Sequence, residues 1–146
     1  AGGGQGEPDP EYIEARLKAR RDNDRDFFKA DMLATRFRSD VQTDDWFESR
    51  VDHLMRVSEG HLLGSMRSMF ALRAADKLAE INVPTMMLAG AVDALLASNI
   101  EDYRALPNAT LQVFAHAGHE VAIHEPDGVS DAIDKFMQYG VVDITA

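Results

Sequence analysis

Val83-Pro84-Thr85-Met86-Met87-Leu88-Ala89-Gly90 decides how this 146-residue chain is read. It is a short apolar run of strand length that stops at a glycine, and Asp93 follows three residues later on a loop. Leu111-Gln112-Val113-Phe114 reads as a second strand, running on to Ala115, and His119 stands on the loop Ala115-His116-Ala117-Gly118-His119-Glu120 behind it. Each strand thus delivers one titratable residue just past its C-terminal end. In open α/β sheets that edge is where ligands bind and chemistry is done.

Working outward, Asn99 to Leu106 fits a helix, and Pro107-Asn108 turns the chain into the second strand. Pro126 opens a last helix, whose Val129, Ile133, Phe136 and Met137 share one face at spacings of three and four. Two strands make no stable sheet by themselves, so the α/β part is expected to lack most of its sheet.

Upstream the pattern is helical. Asp9 can cap a helix from Pro10 to Arg21 that carries Tyr12, Ile13 and Leu17 at helical spacing. Asp24 or Asp26 begins a second segment with the stripe Phe27, Phe28, Met32 and Leu33. Thr43 with Asp44 and Asp45 starts a third, bearing Trp46, Phe47, Val51, Leu54 and Met55, which Gly60 is expected to break. A fourth carries Leu62, Leu63, Met66, Met69, Phe70 and Leu72. Four short helices exceed what a doubly wound sheet inserts between neighbouring strands, so they read as an added layer. The expected organisation is a flexible loop over 1–9, helices over 10–79 and an α/β segment over 80–146.

Composition bounds the function. The net charge of −10 repels phosphate backbones and anionic membranes, which argues against nucleic-acid and membrane partners. Apolar runs fall short of the roughly 18 residues of a membrane span, and no signal peptide opens the chain, so a cytoplasmic location is the default. Cysteine is absent and no His-Glu-x-x-His spacing occurs, so neither a metal nor another cofactor is expected. The start, Ala1-Gly2-Gly3-Gly4-Gln5-Gly6-Glu7-Pro8-Asp9-Pro10, looks like the inside of a loop rather than the start of a domain. Either a trimmed chain or a precursor cut within a loop would produce it.

A carboxylate after one strand and an imidazole after the next are the orienter and base of a nucleophile, base and acid relay. For each residue alone, a turn former or loop side chain is the ordinary explanation; the joint arrangement is what points to chemistry. Among the other histidines, His116 follows the strand directly, His124 reads as a residue behind the site or on the surface, and His53 and His61 fall in the helical layer. Asp127, Asp131 and Asp134 read as a solvated helix face, and Asp102 would replace Asp93 only if the loop were misread.

The run Ile81 to Asp93, then Leu106-Pro107-Asn108-Ala109, Ala117-Gly118-His119-Glu120 and Glu125-Pro126, resembles the C-terminal part of an α/β-hydrolase. The resemblance covers about Asp76 to Tyr139. It implies that Asp93 is the triad acid and His119 the general base, in the family order of nucleophile, acid, histidine. It also implies that the helices from Pro10 to Ala79 are a cap, with Trp46, Phe47, Leu62, Met66, Met69 and Phe70 as candidates for an apolar substrate wall. Ordinary helix packing is the competing reading for each of the six.

One departure is large. No Gly-x-Ser-x-Gly elbow and no Gly-rich oxyanion loop occur. Gly64-Ser65-Met66-Arg67-Ser68 is the nearest imitation, but it lies within a helical stripe. The nucleophile is therefore expected on an N-terminal half outside this chain, giving a heterodimer if a precursor is cleaved, and the chain alone should be inactive. The expected activity is hydrolysis of an ester, lactone or related carbonyl. Epoxide hydrolases, dehalogenases and C–C bond hydrolases share the scaffold, and a noncatalytic ligand-binding member or a stand-alone helical interaction module are the remaining alternatives.

Overall fold

The computed structural model describes residues 9–141, apart from Arg73 and the side chain of Phe70. The described residues fall into two compact units that divide after Leu72.

The first unit is helical: α1 (Pro10–Arg21), α2 (Arg25–Leu33), α3 (Asp44–Met55) and α4 (Glu59–Ala71). Each begins on a side-chain cap that satisfies an otherwise orphaned amide. Asp9, Asp24, Thr43 and Ser58 accept from the backbone N–H of Glu11, Phe27, Trp46 and His61 respectively. The expected break at Gly60 falls earlier, at Arg56 to Ser58, because Ser58 caps α4 and leaves Gly60 in its first turn. Ala19, Phe28 and Val51 form the core, with Phe27, Met32, Leu54 and Met55 packed against it. Polar contacts tie α1 to α2 on the outside. The Tyr12 hydroxyl donates to Asp31 at 2.9 Å, and Arg16 bonds both Tyr12 and Asp31. Partial burial, then the hydrogen bond to Asp31, push the Tyr12 phenol above its ordinary range. Across α2 and α3, Glu48 pairs with Arg25 and Lys29.

In the second unit a 3₁₀ helix (Ala74–Glu80) leads into β1 (Thr85–Gly90), followed by α5 (Leu96–Ala105), β2 (Ala109–Phe114), α6 (Val121–His124) and α7 (Pro126–Tyr139). The two strands pair in parallel, in register from Thr85↔Ala109 to Gly90↔Phe114. Parallel neighbours need a crossover, and α5 supplies it. β1 begins two residues later than the apolar run, since Pro84 has no N–H to give and pairing opens with the Thr85 N–H on the Asn108 carbonyl. Ala117, Val121 and Val129 form the core of this unit, with Leu88 and Phe114 against them.

The face read for α7 is only partly buried. Val129 is covered, but Ile133 and Met137 are exposed, because two strands are too narrow to cover 14 residues of helix. Among the described residues, no helix is long and apolar enough to cross a membrane.

Candidate active site

The register brings the C-terminal ends of β1 and β2 side by side, since Gly90 and Phe114 form the last pair. Two loops leave from that edge. In the first, the Asp93 N–H donates back to the Gly90 carbonyl at 3.2 Å, and the Asp93 carbonyl accepts from Leu96 at the start of α5 at 3.0 Å. In the second, the Ala117 N–H returns to the Phe114 carbonyl at 3.3 Å. The loops are also bonded to each other, the Val92 N–H donating to the Ala117 carbonyl at 3.2 Å.

Gly90 makes that approach possible. A methyl at its Cα would lie 2.2 Å from the Ala117 oxygen and 2.3 Å from the Gly118 oxygen, closer than any side chain tolerates. The glycine ending the apolar strand is therefore a clearance device for the histidine loop.

On this frame Asp93 and His119 meet. His119 Nδ1 lies 3.0 Å from Asp93 Oδ2, while Asp93 Oδ1 accepts from the Leu95 N–H at 3.0 Å. Both carboxylate oxygens are thus engaged. An ionised carboxylate can only accept, so the Nδ1 of His119 carries the proton of this contact, and a neutral ring in that tautomer presents its lone pair at Nε2. The Asp93 side chain is 7% exposed and the imidazole 72%, so a held carboxylate supports an accessible base. Such a pair can take a proton from an acidic group placed at Nε2 and stabilise the resulting imidazolium.

The other candidates lie elsewhere. His116 is exposed on the loop, and Asp102 is buried within α5. Ser65 and Ser68 are exposed residues of α4, with no strand-to-helix turn beneath them. Asp127, Asp131 and Asp134 are exposed along α7. His53 and His61 are exposed in the helical unit, and among the described residues no group of three His, Cys, Asp or Glu is gathered for a metal.

The apolar wall residues divide. Phe47 is 1% exposed and offers a ligand no surface, which corrects its reading as part of a substrate wall. Its ring meets Trp46 edge-on at 4.8 Å and carries the Arg36 guanidinium at 4.7 Å, so it is sealed into the helical core. Trp46, Leu62 and Met66 are half-buried, and Met69 is 58% exposed. The side chain of Phe70 lies outside the described residues.

Two contributors escape a reading of motifs. Gln42 is buried, and its Oε1 accepts from the N–H groups of Phe37 and Arg38, shaping the loop before α3. His124, read as a residue behind the site or on the surface, is 3% exposed, and its Nδ1 accepts from the Gly118 N–H at 3.3 Å. In the sequence only its place between His119 and the last helix hinted at this; the four-residue α6 that carries it is seen in the structure.

The second unit is thus a mixed α/β arrangement: two parallel strands joined by a crossover helix, with titratable residues just past both strand ends. Among solved structures the chain is similar to MenH from S. aureus, with 20% identity and a TM-score of 0.68. The match covers 87% of this chain, and the chain spans 50% of that structure. No family model matches the sequence, and no curated protein does.

Proposed function

We propose that the chain is the cap and C-terminal segment of a hydrolase that attacks an ester, lactone or related carbonyl through a nucleophile, histidine and aspartate relay. The observation that carries this reading is the 3.0 Å contact of His119 Nδ1 with a carboxylate whose other oxygen is already engaged. In the proposed mechanism, His119 Nε2 removes the proton of a serine hydroxyl as the oxygen adds to the carbonyl. Asp93 holds the tautomer and offsets the charge of the imidazolium. The imidazolium then protonates the leaving group, and His119 activates the water that releases the acyl group.

The nucleophile and oxyanion donors belong to polypeptide outside these 146 residues, either a preceding segment of the same protein or a separate chain. Two facts support this: no nucleophile elbow occurs in the sequence, and the chain spans half of the MenH structure. Residues 10–72 serve as the cap, with Trp46, Leu62, Met66 and Met69 as its apolar wall. The substrate proposed for such a wall is a small apolar molecule.

A fluorophosphonate probe on the full-length protein tests the reading. Covalent labelling that maps to a serine outside this chain and is abolished by His119→Ala is the expected result. Turnover of an epoxide or haloalkane without labelling would move the assignment to an aspartate nucleophile. Neither labelling nor turnover across esters, lactones, epoxides and haloalkanes would leave a noncatalytic ligand binder.

A further inference from the structure

The His119 imidazole is 72% exposed, so side-chain packing does little to fix it. Its position is set by the contact with Asp93 and by the backbone on which it stands. Gly118, the residue immediately before it, is buried and held from both ends. Its carbonyl lies within the space a methyl on Gly90 would occupy, and its N–H is bonded to His124 Nδ1 at 3.3 Å.

His124 in turn is 3% exposed and anchored in α6, where its own N–H donates to the Glu120 carbonyl at 3.1 Å. The two bonds close a short ring of chain around His119. A backbone N–H can only donate, so the acceptor nitrogen of His124 carries no proton and the neutral ring bears its hydrogen on Nε2. The two imidazoles thus hold opposite tautomers: Nδ1–H on His119, Nε2–H on His124.

We propose that His124 is a positioning residue for the general base: its unprotonated Nδ1 fixes the Gly118 peptide and, through it, the approach of His119 to Asp93. The inference rests on the reading of Asp93 and His119 as an acid and base pair, but its geometry can be tested without turnover. Leucine at 124 preserves bulk and removes the acceptor. Asparagine places an amide oxygen close to where Nδ1 lies and keeps it.

The test is NMR on the full-length protein labelled with ¹⁵N at histidine and glycine, comparing wild type, His124→Leu and His124→Asn. Wild type should show an unprotonated Nδ1 and protonated Nε2 on His124, with a slowly exchanging Gly118 amide. In His124→Leu that amide should exchange about tenfold faster, and the downfield Nδ1 proton of His119 should broaden or shift. His124→Asn should restore both signals, and with an active enzyme it should restore a kcat that His124→Leu lowers at unchanged KM. A proton on His124 Nδ1, or a leucine variant indistinguishable from wild type in both signals, overturns the proposal. So does an asparagine variant no better than leucine. Absence of turnover in wild type would count against the hydrolase reading and leave the NMR result decisive for His124.

Discussion

Replacing Gly90 with alanine should damage the site from a position that carries no chemistry. An added Cβ would stand 2.2 Å from the Ala117 oxygen, 2.3 Å from the Gly118 oxygen and 2.6 Å from the Ala117 carbonyl carbon. All three are backbone atoms, so no rotamer change relieves the clash. To reach 3.0 Å, the nearest separation real Cβ atoms show, the Ala117 oxygen must retreat by about 0.8 Å. That oxygen accepts the Val92 N–H at 3.2 Å, and the same loop carries His119 to its 3.0 Å contact with Asp93. A shift of that size takes either bond past the usual limit of roughly 3.2 Å. Overpacking of this kind costs about 1–3 kcal/mol, and misplacing a catalytic group by about 1 Å can cost roughly 10²-fold in rate. Urea unfolding and steady-state turnover of the full-length protein would measure both. Gly64→Ala is the control, since nothing lies within 4 Å of its added methyl and it sits inside α4, where alanine should stabilise by about 0.5–1 kcal/mol. A Gly90→Ala variant with wild-type stability and turnover would refute the clearance argument.

Other expectations follow from the same geometry. Asp93→Asn should fold normally yet lose on the order of 10³–10⁴ in kcat, because an amide can donate to Nδ1 and reverse the imidazole tautomer; kcat within tenfold of wild type would argue against the pairing. Phe28→Ala, at a fully buried site in the helical core, should lose about 3–5 kcal/mol in urea unfolding, and a loss under 1 kcal/mol would show that the core is misplaced. The hydrogen bond from Lys29, then that from Arg25, hold the Glu48 carboxyl below its ordinary range. Its pairing is therefore stabilising above the unfolded carboxyl value, near pH 4, and is lost as pH falls through the lowered one. Wild type should accordingly lose its stability advantage over Glu48→Gln on acidification below about pH 4, and added salt should shrink the advantage at neutral pH; a pH-independent difference would contradict the assignment.

The parts of the fold written in local chemistry were legible in the sequence. Asp9 with Pro10, and Thr43 with its two following aspartates, mark the starts of α1 and α3 because caps and first-turn charges act within one turn. The strand ending at Gly90 was legible through its apolar run, and the Asp93 to His119 pairing through the position of each residue just past a strand. What depends on distant neighbours was not. β2 opens at Ala109, a weak strand former behind a Pro-Asn turn, which is recruited by pairing with Thr85. Phe47 and Trp46 are adjacent on one helix, yet only the three-dimensional packing makes Phe47 core and leaves Trp46 half-buried. For His124 the choice between a place behind the site and one on the surface was not legible, because a hydrogen bond from a backbone amide to a side chain six residues later leaves no periodic trace.

In the proposed function, His119, held by Asp93, is the general base of a hydrolase. The most direct test is kcat/KM of the full-length protein and its His119→Ala variant on the ester or lactone it turns over fastest. The variant's kcat/KM should fall by several orders of magnitude with its fold intact by circular dichroism. A His119→Ala variant that retains near-normal turnover would contradict it.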